Sequence, residues 1–401
     1  MSYLANTAGH DSAIRTRPAP VDLRHLLKLA TNGTQAMFNV ERRAFCYRLR
    51  QSGLGLVQEG LSDRYTMMTL LGLHRAEASG LISPVNINAV LLRLVRDTSW
   101  VTNVGDLGLL LWLSAVVSPE RLRECCDNAR LDSLLNGLRK KREKRTMELA
   151  WFLSGLAHMK LAGAAGWRDE AELARSAYAG LQATRGKAGL FGHVARDGSL
   201  GGLLRGRIGS FADQVYPIYA LSKYAEAYRV PDALEMARQC ADQICRLQGP
   251  LGEWWWHYDA KLGRVFEGYP VYSVHQDGMA PMALFALSEA LNEDYDEPIY
   301  RGLQWIGGNN QLGRDLINDS EQVIWRNIYH RQEYSARFES VRRAVAGATS
   351  PEGTSDLVVR HECRPYHFGW LLYAFAGRSI SESGRHRRAA SARPGDQRQR
   401  G

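Results

Sequence analysis

The sequence predicts an all-α domain built as a closed ring of paired helices, and three observations carry that expectation. Helical periodicity runs from Val21 to about Ala376 with almost no period-two alternation. Segments that are apolar nearly all round alternate strictly with segments that carry one apolar stripe. A short phrase of helix end, polar amide, glycine and aromatic recurs in the second half of the chain. It reads Leu181-Gln182 … Gly189-Leu190-Phe191, then Ile244 … Gln248 … Gly252-Glu253-Trp254, then Arg301-Gly302 … Trp305-Ile306 … Asn310 … Gly313. The glycines fall about 60 residues apart, the spacing of stacked supersecondary units.

The elements follow in order. Segments 65–75, 107–117, 147–160, 215–227, 279–291 and 368–376 are apolar on all sides, as helices buried on all sides must be. Segments 36–51, 86–96, 119–140, 170–182, 231–246 and 297–307 are amphipathic. In 231–246, Leu234, Ala237, Cys240 and Ala241 oppose Glu235, Arg238 and Asp242. The expectation is six inner and six outer helices. Glycine-rich insertions (186–209, 249–268, 308–365) lengthen the later connections, and short hairpins fit around 254–258 and 264–266. Residues 1–20 and 378–401 read as disordered tails flanking one ring domain over 21–377.

Composition narrows the classes. The chain has 401 residues, 45% hydrophobic and 23% charged, which is ordinary for a globular protein. No apolar run reaches the roughly 18 residues of a membrane span, and no signal core opens the chain, so a cytoplasmic protein is expected. The six cysteines form no Cys-x-x-Cys and are read as free thiols. The net charge of +9 comes partly from the arginine-rich tail and partly from the run Arg139-Lys140-Lys141-Arg142-Glu143-Lys144-Arg145. No nucleic-acid motif accompanies it, and no nucleic-acid partner is expected. The oligomeric state is left open.

The pattern resembles an (α/α)6 toroid. The segment Ile244 … Gln248 … Gly252-Glu253-Trp254 looks like the glutamine–tryptophan repeat of squalene–hopene cyclase-type terpenoid cyclases. The next copy is imperfect, with Asn310 for the glutamine and Asp315 for the tryptophan. Six-hairpin glycosidases, polysaccharide lyases and sugar epimerases share the same toroid, and fold does not fix chemistry. The resemblance implies that all inner helices enter at one rim. Polar residues do collect there: Ser62-Asp63-Arg64-Tyr65, Asn103 with Asp106, Arg145-Thr146 with Glu148, Asp213-Gln214 with Tyr216, His275-Gln276-Asp277, and His361-Glu362-Cys363-Arg364 with Tyr366 and His367. Taken alone, any one of them reads first as a helix cap, a role that Asp63, Asp106 and Asp213 each suit. Together they supply the groups of general acid–base work on a polar substrate.

The expected catalytic set is therefore Asp277, Glu362, His275 and Asp213, with Asp213 orienting Tyr216 or a water. The expected substrate-binding set is Arg364, Tyr272, Tyr216, Gln276, His361, Tyr366, Asp63 and Arg64. Aromatic residues of 254–272 offer stacking faces for a sugar. Gln248 and Trp254 are expected to tie an outer helix to the loop that follows it. No cofactor is called for, and metal is unforced because no His-x3-His or His-Glu-x-x-His occurs. The zinc ligands of prenyltransferase β-subunits find no match. Neither Asp-x-Asp-Asp nor Asp-Asp-x-x-Asp is present, which places terpenoid chemistry second. A carbohydrate-active enzyme working on a glycan or uronate comes first, as a hydrolase, lyase or epimerase. A terpenoid cyclase-like enzyme and a non-catalytic binding or assembly ring remain open.

Overall fold

The computed structural model describes residues 20–53, 55–127, 135, 145–164, 169–195, 206–331 and 356–378. Twelve α-helices occur among them, alternating outer and inner. They are α1 (Leu23–Gln35), α2 (Asp63–Ala78), α3 (Ile87–Arg96), α4 (Val104–Val117), α5 (Leu122–Cys126), α6 (Thr146–Leu161), α7 (Glu170–Thr184), α8 (Ala212–Tyr228), α9 (Pro231–Arg246), α10 (Ala280–Leu291), α11 (Asp296–Ile306) and α12 (Pro365–Phe375). The even-numbered helices are buried nearly all round, and the longer odd-numbered ones bury a single stripe. In α9 that stripe is Ala233, Met236, Ala237, Cys240, Ala241 and Ile244. Each inner helix packs on the next, and α12 packs back on α2, so the ring closes.

Closure needs backbones to approach. A Cβ on Gly72 of α2 would lie 2.0 Å from the carbonyl oxygen of Gly369 in α12. The pair Gly108 and Gly155 makes the same contact between α4 and α6. On the axis of the ring, aromatic side chains from non-adjacent helices meet. Trp112 stacks on His158 (4.9 Å) and Tyr219 (4.7 Å) and turns an edge to Tyr373 (5.4 Å). His158 Nε2 shares a 2.8 Å hydrogen bond with the Tyr219 hydroxyl, which shares one of 2.6 Å with the Tyr373 hydroxyl. Burial holds His158 neutral down to about pH 3. The bore is filled ring on ring.

Two expectations are corrected. The chain is not strictly all-α: among the described residues twelve short strands form four antiparallel sheets in the connections. They are β1 (Phe38–Asn39), β2 (Ala44–Ser52), β3 (Gly55–Leu61), β4 (Ile208–Ser210), β5 (His257–Asp259), β6 (Arg264–Glu267), β7 (Val271–Tyr272), β8 (Ile317–Asn318), β9 (Val323–Ile324), β10 (Asn327–His330), β11 (Leu357–Arg360) and β12 (Glu362–Cys363). The segment 36–51, expected as the first outer helix, is β1 and β2; α1 takes the outer place instead. Phe45 and Leu49 are both buried and four apart, a spacing shared by one face of a helix and one face of a strand. Arg43, at φ 47°, turns the chain between β1 and β2. The segment 119–140 begins as a short 3₁₀ turn and α5; residues 128–134 and 136–144, with most of the basic run, lie outside the described residues, as do 1–19 and 379–401.

β2 and β3 lead into α2, β4 into α8, β5 to β7 into α10, and β8 to β12 into α12. The sheets therefore build up the rim at which the inner helices begin. All six cysteines are free thiols. No helix of the described residues is long and apolar enough to cross a membrane.

Candidate active site

The rim entries divide by chemistry. At the seam between α12 and α2, charges gather around one carboxylate. Glu362, on β12, is 3% exposed. It accepts from Arg48 Nη1 of β2 at 2.9 Å and from Arg364 Nη2 at 3.1 Å, and Arg326 Nη1 stands 2.9 Å away at ion-pair distance. Burial pushes the Glu362 carboxyl up, but Arg326, Arg364 and Arg48 outweigh it and hold it below the usual carboxylate range. Arg48 also pairs with Glu59, which Arg50 shares. Four guanidinium groups thus face two carboxylates, and the seam is left net positive.

Tyrosines line the same seam. The Arg364 guanidinium lies over the Tyr47 ring at 3.9 Å, and its Nη1 is 3.5 Å from the Tyr65 hydroxyl. Tyr47 and Tyr65 stack at 5.4 Å, and Tyr366 tilts against Tyr65 at 4.5 Å. Arg326 lies 5.0 Å over Tyr272. Beyond it, Trp256, Tyr272 and His275 form an aromatic wall. Burial, then the charge of Arg326, lowers the His275 pKa to about 3, so the ring is neutral. His275 Nδ1 is buried and has no hydrogen-bond partner among the described residues.

The neighbouring arc, from α8 to α10, uses amides instead. Gln214 Oε1 accepts from the backbone N–H of Phe191 (2.8 Å), while its Nε2 donates to the Phe191 carbonyl (2.9 Å) and the Ser210 carbonyl (3.0 Å). Gln276 repeats the arrangement one unit later, with Trp254 N–H (3.0 Å) and the Trp254 and Tyr272 carbonyls (3.4 and 3.0 Å). The aromatic of each of the first two recurring phrases is therefore clamped by the amide that opens the following inner helix. Trp254 is fully buried, and Gly302 of α11 makes room for it: a Cβ there would meet the indole nitrogen at 2.8 Å. Gln248 Nε2 donates to the carbonyls of Gly252 and Pro298, both at 2.9 Å, joining the end of α9 to its own loop and to the first turn of α11.

The remaining expected residues are distributed as follows. Asp277 is fully buried in the single π-helical turn His275–Met279, where both its oxygens lie 2.8 Å from His367 Nε2 of α12. Burial raises its carboxyl while His367 opposes the shift. Asp213 accepts from Ser210 N (2.9 Å) and Ser210 Oγ (2.8 Å), and its Oδ2 lies 3.1 Å from His193 Nδ1. It does not orient Tyr216, whose hydroxyl accepts from Trp370 Nε1 (3.0 Å) in the plugged bore. Arg64 donates to Asp106 (2.7 Å), and Asp63 pairs with Arg93. His361 is exposed, edge-on to Trp325. Of the aromatics in 254–272, Tyr258 is buried with Trp254, whereas Trp256 and Tyr272 are half-buried at the cleft.

Sequence reasoning did not single out Tyr47, Arg48, His193 or Arg326. Tyr47 and Arg48 were hidden by the reading of 36–51 as a helix. Arg326 sits between β9 and β10 inside a long insertion, where no periodicity marks it. His193 directly follows the Gly-Leu-Phe-Gly of the first recurring phrase, and that position was its only signal. Glu148, in the first turn of α6, keeps part of its carboxylate accessible and has a long 3.6 Å contact to Arg145. Among the described residues no group of His, Cys, Asp and Glu could hold a metal ion.

With this geometry in view, comparison with solved structures gives a consistent result. A possible member of the GH105 family from Salmonella enterica superposes with a TM-score of 0.56 at 10% identity, covering 92% of this chain and 98% of that one. An unsaturated glucuronyl hydrolase specific for heparin gives 0.53 at 14% identity, with 88% and 95% covered. The unsaturated glucuronyl hydrolase of Bacillus sp. GL1, responsible for glycosaminoglycan degradation, gives 0.52 at 14% identity, with 88% and 96% covered. The chain folds as a six-hairpin toroid. No family model and no curated protein matches its sequence. The toroid resembles those of carbohydrate-active enzymes over nearly its whole length.

Proposed function

We propose that this toroid is a carbohydrate-active enzyme that works on a uronate-bearing glycan by general acid–base catalysis. The observation that carries the reading is the net-positive, tyrosine-lined seam, where Arg48, Arg326 and Arg364 share Glu362. A surplus of guanidinium beside aromatic faces suits a sugar that carries a carboxylate, since arginine binds carboxylates through charge-assisted, often bidentate hydrogen bonds. The names of the solved neighbours, glucuronyl hydrolases among them, point to the same substrate class.

The roles follow from the environments. Arg326, with Arg364 and Arg48 beside it, receives the uronate carboxylate. Tyr272 and Trp256 stack on the ring. Glu362, held ionised by its arginines, is a poor proton donor near neutrality; its role is to fix the three guanidinium groups. Asp277, closed against His367, acts through the α10–α12 joint rather than on substrate. Proton transfer falls to groups with access to the rim. Glu148 is the first candidate. His193, oriented by the buried Asp213 as in other acid–base dyads, is the second. A prenyl substrate is disfavoured because the aromatic interior is packed rather than open.

The test is turnover of oligosaccharides ending in a saturated or unsaturated uronate, set against neutral analogues. Arg326→Ala should lower kcat/KM on the uronate by about 100-fold, the loss of a charge-assisted contact of roughly 3 kcal/mol. Glu148→Gln should lower kcat with little change in KM. Equal activity on neutral and uronate substrates, or an Arg326→Ala enzyme as active as the parent, would overturn the proposal.

A further inference from the structure

The seam draws its two most buried arginines from separate stretches of chain. Arg326 stands between β9 and β10, and Arg364 immediately precedes α12. Both reach the same oxygen of Glu362, Arg326 Nη1 at 2.9 Å and Arg364 Nη2 at 3.1 Å. Two guanidinium groups this close repel each other. Their spacing therefore has to be imposed by the backbones that carry them, and a binding constellation tolerates errors of only about 0.5 Å.

One short segment holds both backbones. β7 pairs with β10 through Tyr272 and Asn327, and the chain then runs through Ser273 into the π turn His275–Met279. Ser273 is fully buried. Its N–H donates to the Arg326 carbonyl at 2.9 Å, and its hydroxyl donates to the Trp325 carbonyl at 2.5 Å. Both peptide groups that flank the Arg326 Cα are thus held by one serine. The Arg326 N–H also reaches the Arg360 carbonyl at 3.3 Å, so β11 supports the same turn. Four residues after Ser273, Asp277 holds His367 Nε2 with both oxygens at 2.8 Å. The His367 N–H in turn donates to the Arg364 carbonyl at 3.0 Å, closing the first turn of α12. Gly278 lets the π turn lie against α12: a Cβ there would stand 3.0 Å from the Trp370 Cβ. Asp277 and His367 are both buried, so sliding α12 past the π turn would leave a buried polar group without its partner.

We propose that Ser273 and Asp277 are positioning residues: they set the separation of Arg326 and Arg364, and through it the preference of the cleft for a sugar that carries a carboxylate. Neither touches the substrate. This rests on the uronate reading above and deepens it. A carboxylate is gripped by two guanidinium groups only when both lie within reach of its oxygens at once. A neutral sugar stacked on Tyr272 and Trp256 has no such requirement. Loosening either hold should therefore blunt discrimination rather than weaken all binding.

The experiment measures binding of a uronate monosaccharide and of a neutral methyl hexoside to the full-length protein by calorimetry, beside crystal structures of the parent and the variants. Asp277→Asn keeps the shape of the side chain and removes its charge; it should weaken uronate binding about tenfold and neutral-sugar binding less than about twofold. Ser273→Ala leaves the N–H bond to Arg326 in place and should cost the uronate only about threefold. Neither loss should persist in an Arg326→Ala background, where the spacing has lost one of its members. Should Asp277→Asn not fold, Ser273→Ala decides alone. Equal losses for the uronate and the neutral sugar, or losses that add in full to that of Arg326→Ala, overturn the proposal. A parent that binds both sugars equally overturns the uronate reading instead. The crystal structures then decide the positioning: an arginine drawn off Glu362 in either variant upholds it, and a seam unchanged in both overturns it.

Discussion

The seam between α12 and α2 and the arc between α8 and α10 occupy equivalent places in the ring, and they use polar residues to opposite ends. At the seam, Glu362 gathers arginines and leaves positive charge facing the cleft. In the arc, Gln214 and Gln276 close on backbone groups and leave nothing over. Both kinds of residue open a buried helix, and both are polar where the chain is about to become apolar. A neutral amide can satisfy a buried N–H and C=O at once, which makes it a clamp; a charge has to be balanced, and an imbalance becomes a binding site. The arc should therefore govern stability and the seam recognition.

The largest expected effect is in the arc. Trp254→Ala empties a fully buried site and should cost about 3–5 kcal/mol in denaturant unfolding. The folded fraction should keep the uronate affinity of the parent. A denaturation midpoint that does not move would show that the clamped aromatic is not what holds this arc together.

Next come the clamps themselves. Gln214→Leu and Gln276→Leu each strand one buried backbone N–H and its partner carbonyls, for about 2–4 kcal/mol apiece. Because the two amides make the same contacts one unit apart, their costs should agree within about 1 kcal/mol. A large inequality would break the equivalence of the two repeats.

The smallest effect sharpens the boundary between the regions. His275 stands where arc and seam meet, and it is neutral in the folded protein down to about pH 3. In the unfolded chain it takes up a proton below about pH 6.5. Between those values the unfolded state binds more protons, so stability falls as pH drops from about 6.5 toward 3 and is unaffected by this group above 6.5. At pH 5 the loss is about 2 kcal/mol from His275. His158, in the bore, contributes in the same direction. His275→Gln should flatten the acid slope by roughly half, as read from urea midpoints at pH 7 and pH 5. An unchanged slope would mean that the ring is charged or solvated.

The alternation of helices was legible because it depends on burial, which periodicity reports directly. Eleven of the twelve helices fall on expected segments; the exception is α1, which lies outside 36–51, where β1 and β2 stand instead. The recurring phrase was legible as well, and its meaning is the clamp made by Gln214 and Gln276 on Phe191 and Trp254. What the pattern could not separate was a clamping amide from a site residue, as in His275-Gln276-Asp277, where three adjacent side chains go to an aromatic wall, a backbone clamp and an ion pair. Arg326 and Arg48 were out of reach for another reason. Their meeting with Glu362 joins β2, the β9–β10 turn and β12, and contacts over such separations leave no local trace.

The filled bore has a consequence for traffic. With Trp112, Tyr219 and Trp370 closing the axis, the ring is a cup and not a tube. A polymer cannot be threaded through it, so whatever binds at the rim enters and leaves on the same side.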